Sequence, residues 1–114
     1  MYNHMVVDQR GEVDVDRVFR ALADATRRDI LTRVIRAGES VSGLARHYPM
    51  SFAAVQKHVA VLEQAALVTK EKRGREQIVH GDVTVLRTAM RLLDRYEQIW
   101  RDRAGRIDQI LRED

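Results

Sequence analysis

The chain contains no cysteine, which excludes disulfides, thiolate metal sites and thiol redox switching together. Its single proline, Pro49, is the only residue of that type available to break a helix. Aromatic residues make up only 5%, so any core must come mainly from aliphatic side chains. No apolar run approaches the roughly 18 residues of a membrane span. The start "MYNHMVVDQR" has neither a long apolar segment nor a plausible signal-cleavage site, so a cytoplasmic protein with no membrane partner is expected. The four histidines, at 4, 47, 58 and 80, are scattered and form no i, i+4 pair, and with no cysteine beside them no metal site is expected. There is no nucleophile–base arrangement, Gly-rich phosphate loop or paired carboxylates, so neither an enzyme nor a cofactor is expected.

What is present is a chain of 114 residues, 45% hydrophobic and 32% charged, with net charge +3. That suits one small domain, and the mild basic excess is compatible with a nucleic-acid partner. Residues 1–13 show no period and read as a flexible N-terminal arm, leaving 14–114 as the domain. "DVDRVFRALADA" puts Val15, Val18, Phe19 and Leu22 on one face of a first helix. "DATRRDILTRVIRAG" does the same with Ile30, Leu31, Val34 and Ile35, with Asp24 or Thr26 as its cap and Gly38 as its stop. A short third helix is expected from about Ser42 to Tyr48, ending before Pro49. Ser51 then caps a fourth helix reaching to about Ala65. Its stripe of Phe52, Val55, Val59 and Leu62 points inward, and a second, nearly acid-free face carries Ala53, Gln56 and Lys57. "LVTKEKRGREQIVHG" alternates at both ends around Arg73-Gly74-Arg75, which predicts two antiparallel strands, 67–72 and 76–80. From about Val83 the helical period returns and lasts almost to the end.

Two helices joined by a tight turn and followed by a basic hairpin are the parts of a winged helix-turn-helix. The expected fold is therefore mostly α with a small β-hairpin, in the order α1-α2-α3-α4-β1-β2-α5. In that arrangement the helix from Ser51 enters the major groove of double-stranded operator DNA. Ser51 and the helix N-terminus can hold a phosphate. Phe52 and Ala53 border the same surface, and the small Ala53 lets the backbone approach the base edges. Gln56 reads a base edge, and Lys57 reaches guanine or phosphate. Arg73 and Arg75 supply contacts that strengthen binding to any sequence.

The last helix concerns assembly. Leu86, Leu93, Trp100 and Ile107 recur every seven residues, with Met90, Ala104 and Leu111 four residues after three of them. Such a helix is too long for one small body to cover. The seam is expected to pack on its mate in a homodimer, helped by Val15 and Phe19 of the first helix. Trp100 is read as a packing residue there, and the sequence names no small-molecule inducer.

"FRALADATRRDIL" at 19–31 and "MSFAAVQKHVAVLEQAALV" at 50–68 resemble the second helix and recognition helix of the ArsR/SmtB transcriptional repressors. The spacing to "KEKRGREQIV" and the long final helix match as well. The resemblance spans about residues 14–111 and implies a homodimeric repressor that occludes a promoter by binding a palindromic operator. The other reading is a winged-helix dimer acting mainly as a protein–protein interaction module, against which the recognition face and wing, neither of them acidic, are the distinguishing feature. Metal-sensing members carry a cysteine motif on the third helix, or His and acidic ligands on the last. Here the third helix reads "VSGLARHY" and the last holds no histidine, so the family's metal sites are not matched. The shared "TRR" at 26–28 is read as capping with solvated arginines, and His58 as a packed, hydrogen-bonded residue. Ala66 stands where the family commonly has glycine, and is expected to sit strained in the left-handed region.

Overall fold

A computed structural model describes residues 14–113; the expected N-terminal arm lies outside them. The elements are α1 (Val15–Leu22), α2 (Ala25–Arg36), β1 (Glu39–Ser40), α3 (Val41–Ala45), α4 (Phe52–Gln64), β2 (Val68–Arg73), β3 (Glu76–Gly81) and α5 (Thr84–Glu113). Four helices start by one device. The side-chain oxygens of Asp14, Asp24, Ser40 and Ser51 accept the N–H of Arg17, Arg27, Gly43 and Ala54, at 3.2, 3.0, 2.9 and 3.1 Å. Each such cap satisfies an otherwise unpartnered helix donor and contributes about 1 kcal/mol. Asp24, not Thr26, is therefore the cap of α2. Its carboxyl is held below the usual range of 3.8, chiefly by the Arg27 N–H it accepts.

The core is aliphatic. Val18 and Ala21 of α1, Ile30, Leu31 and Val34 of α2, and Leu44 of α3 meet Val55, Val59 and Leu62 of α4. Leu67, Val68 and Val79 close it from the sheet side, and Val85 and Ala89 from α5. Two residues expected on buried faces are not there: Ile35 and Phe52 are each 46% exposed. Both sit at the end of their stripe, Ile35 in the last turn of α2 and Phe52 at the first position of α4, where the helix has no preceding turn to cover it. The regular part of α3 stops at Ala45. Bonds from the N–H of Arg46, His47 and Tyr48 to the carbonyls three residues back then carry the chain in tighter turns to Tyr48.

The hairpin pairs Val68 with Gly81 through to Arg73 with Glu76, leaving Gly74 and Arg75 as a two-residue turn. Gly74 has φ +64 and Arg75 does not share that sign, the pattern of a type II′ turn, whose first central residue favours glycine. β1 was not expected. It pairs Glu39 with Val79 and Ser40 with Ile78, so the sheet has three strands in the order β1-β3-β2. Gly38 just before it is not a left-handed helix stop: α2 ends with Ala37 extended at φ −162. A methyl at Gly38 would instead stand 2.5 Å from the His80 ring, so the need for glycine there is close approach.

α5 dominates the outline. Its 30 residues span roughly 45 Å at 1.5 Å per residue. The described chain measures 70 × 32 × 22 Å with a radius of gyration of 19.0 Å, against about 13 Å for a compact chain of this size. Val85 and Ala89 fasten its first turns to the body, but every residue from Leu93 to Glu113 is exposed. Roughly 30 Å of helix therefore projects beyond the core.

Candidate nucleic-acid interface

α4 is fixed at its start, middle and end. Before it, the Tyr48 hydroxyl donates to Asp29 Oδ2 at 2.6 Å, and Arg33 Nε donates to the same oxygen at 3.0 Å. The Arg33 guanidinium also lies 5.9 Å from the centre of the Tyr48 ring. Partial burial, then the bond to Asp29, pushes the Tyr48 phenol up to about 12, while the Tyr48 and Arg33 bonds hold the Asp29 carboxyl low. The turn leading into α4 is thus tied to α2.

In the middle of α4, the half-buried His58 lies with its Nδ1 3.4 Å from Arg27 Nη1. That guanidinium also donates through Nε to Ala21 O at 2.8 Å and through Nη2 to Arg20 O at 3.0 Å. Arg28 Nη1 reaches Leu22 O at 2.8 Å. The "TRR" arginines therefore satisfy the last carbonyls of α1, and His58 lies beside Arg27 and Asp24.

At the end of α4, Leu67 N–H bonds to Leu62 O at 3.0 Å and Ala66 N–H to Glu63 O at 2.9 Å. This is the Schellman pair of bonds, and the buried Leu62 and Leu67 supply its apolar contact. The motif needs a left-handed residue, and Ala66 provides it at φ 62, alone among the described non-glycine residues. Lys70 Nζ on β2 adds an ion pair to Glu63 at 3.2 Å, so the hairpin follows the helix end directly.

This leaves one face of α4 open. Val55, Val59 and Leu62 are buried, whereas Ser51, Phe52, Ala53, Gln56 and Lys57 are all exposed. The only acid on the helix is Glu63, in its last turn. In the hairpin, Arg73 Nη2 and His80 Nε2 each lie 3.0 Å from Glu71 Oε1, and the His80 bond, then Arg73, holds that carboxyl low. An exposed, solvent-screened pair of this kind is weak, so it leaves Arg73 free to turn away from Glu71. Arg75, at the hairpin tip, has no ion pair among the described residues. Arg46, exposed at the end of α3, was not singled out from the sequence; a lone arginine before a turn carries no pattern to mark it. Among the described residues no three His, Asp or Glu side chains converge on a point that could hold a metal.

No family model matches the chain. The HTH-type transcriptional regulator Rv2034 of Mycobacterium tuberculosis is 40% identical over 81 residues, which is 71% of this chain and 76% of that protein. An ArsR-like transcriptional regulator from Rhodococcus sp. RHA1 has a solved structure that superimposes with a TM-score of 0.78 at 37% identity, covering 88% of this chain and 92% of that one. The chain belongs to the ArsR family of helix-turn-helix transcriptional regulators. The transcriptional repressor SdpR of Bacillus subtilis is also similar, 29% identical over 77 residues, or 67% of this regulator and 84% of SdpR. Within the winged helix-turn-helix, α3 and α4 are the helix pair and β2–β3 the wing.

The remaining surface of this ArsR-family regulator lies on α5. Leu86, Met90, Leu93, Glu97, Trp100, Ala104, Ile107 and Leu111 follow one another at alternating four- and three-residue steps, the spacing of a helix–helix seam. Met90 is 56% exposed, Trp100 64% and Leu111 68%. Leu86 differs, for it packs partly against the protomer's own core beside Val85 and Ala89. On α1, Val15 and Phe19 are half-buried, with Phe19 against that core. Glu97 is the one charged member of the stripe, and its carboxylate pairs with Arg101 at 3.0 Å.

Proposed function

We propose that this regulator is a homodimeric repressor that occludes a promoter by binding a palindromic operator. Ser51, Phe52, Ala53, Gln56 and Lys57 enter the major groove, and Arg73 and Arg75 contact the backbone beside it. The observation that carries this reading is the division of α4: a fully buried apolar stripe on one side and an exposed, short-chained face free of acid on the other. An amide, an ammonium and small apolar groups are the chemistry that base edges and phosphates accept.

The α5 seam supports the dimer. A stripe of large apolar side chains over some 30 Å is more exposed hydrophobic surface than a monomer ordinarily carries. A second copy, related by a two-fold axis, covers it with the same residues. Two recognition helices then meet two half-sites, and the pairing of protein and operator symmetry follows.

Selection of duplexes from a random pool, followed by gel shift at several salt concentrations, tests the reading. Gln56→Ala should lower affinity for the selected site by roughly 1–3 kcal/mol and relax one base-pair preference per half-site. Equal loss on random DNA would show that Gln56 reads no base. Failure to select any duplex would favour an interaction module instead.

A further inference from the structure

Phe52 is an exposed aromatic that stands outside the buried core cluster of the protomer. Among the described residues the exposed aromatic side chains are Phe52, Tyr96 and Trp100; the latter two lie on α5, Trp100 within its seam. Phe52 stands apart from them, at the first position of α4, 46% exposed, while Val55 one turn on is fully buried. Its neighbours on the open face are Ala53, one residue on, and Gln56, four residues on and therefore stacked on the same side. The ring lies outside the core cluster, and its exposed part, at the leading end of the reading face, suits an apolar partner.

The major groove offers one apolar group. Base edges there present nitrogen and oxygen donors and acceptors, and only thymine adds a C5-methyl. We infer that Phe52, flanked by Ala53, is a specificity residue that packs against a thymine methyl in each half-site. Four helical residues advance roughly 6 Å, and base pairs rise about 3.4 Å along a strand. The thymine therefore lies within about two base pairs of the base that Gln56 reads. The inference rests on the major-groove reading above and adds a requirement to it: each half-site contains a thymine whose methyl, and not only its hydrogen-bonding edge, is recognised.

The test replaces thymines of the selected duplex by deoxyuridine, one symmetric pair at a time, which deletes the methyl and leaves base pairing intact. Wild-type chain should lose roughly fourfold affinity per half-site at one position, the value expected for losing burial of a single methyl, and keep full affinity at the others. Phe52→Ala should bind the unmodified duplex more weakly and be indifferent to deoxyuridine at that position. Phe52→Leu, which keeps an apolar side chain, should retain part of the sensitivity. Because Phe52 is exposed, thermal melting should show both variants folded. A wild-type chain that binds its site but ignores every thymine methyl overturns the assignment while leaving the major-groove reading standing. So does a Phe52→Ala chain that loses as much as wild type on methyl removal. A chain that binds no duplex overturns both.

Discussion

Replacing Ala66 by glycine should stabilise the protein, although it removes a methyl and adds freedom to the unfolded chain. At φ 62 the Ala66 methyl crowds the backbone, and for an L-residue this conformation costs roughly 1–2 kcal/mol. Glycine relieves that strain, while its wider unfolded-state freedom returns roughly 0.4–1 kcal/mol. The methyl is exposed, so the core packing is unchanged. The two Schellman bonds, at 2.9 and 3.0 Å, run through backbone atoms that the substitution leaves in place. The net gain is about 0.5–1 kcal/mol per protomer. With urea slopes of roughly 1–3 kcal/mol/M, the midpoint should rise by a few tenths molar at an unchanged slope, measured at one fixed protein concentration because dimer stability depends on it. Ala65→Gly provides the contrast. Ala65 is right-handed at φ −84 and 5% exposed, so glycine there should lower the midpoint. A midpoint that falls for Ala66→Gly would refute the strain argument.

Other outcomes follow from the same geometry. Trp100→Ala should weaken the dimer by about 3–5 kcal/mol for each ring it unburies, and sedimentation showing an equally tight dimer would remove Trp100 from the seam. Arg75→Ala should reduce the steepness of the salt dependence of DNA binding by roughly 0.9 for each phosphate that the arginine neutralises. Arg73→Ala should change it less, because Arg73 must first leave Glu71. Tyr48 ionises at about 12 in the folded chain against an ordinary value of 10.0. Its contribution to stability is therefore complete below pH 10 and is lost as pH rises toward 12, and Tyr48→Phe should remove a tyrosinate absorbance that rises near pH 12.

How much of this was legible in the sequence depends on how local each cause is. The cap at Ser51, the buried stripe of Val55, Val59 and Leu62, and the glycine turn at Gly74 depend on neighbours a few residues away, and they read directly, whereas Asp24 was one of two caps the sequence left open for its helix. The strain at Ala66 was expected from the resemblance instead, because glycine commonly stands there in the family and a helix end of this kind uses one left-handed residue. β1 did not read, since two residues hold no alternation and Glu39 and Ser40 are strand only because β3 has a free edge beside them. Gly38 read as a helix stop because glycine commonly is one; its real constraint, the His80 ring, comes from 42 positions further along the chain. Phe52 read as both stripe and surface, because periodicity assigns a phase to a helix but not the point at which it leaves the body. Leu86 shows the same limit on α5: its heptad position is that of the seam, yet the nearest apolar surface is the protomer's own.

The ties on α4 also decide where motion can arise. Tyr48 and Asp29 hold its approach, His58 and the Arg27 network its middle, and the Schellman turn with Lys70–Glu63 its end. Every partner in this set lies within one protomer, and the helix cannot turn on the body without breaking buried packing at Val55, Val59 and Leu62. In the proposed dimer the distance between two recognition helices is then set elsewhere, by how α1 and α5 meet their mates. That seam contains both large apolar groups and the charged Glu97, whose burial against a second copy is unfavourable unless its pair with Arg101 persists. A signal that alters operator binding would act most effectively on this contact, because a small rotation there is carried to both half-sites by recognition helices tied to their own bodies.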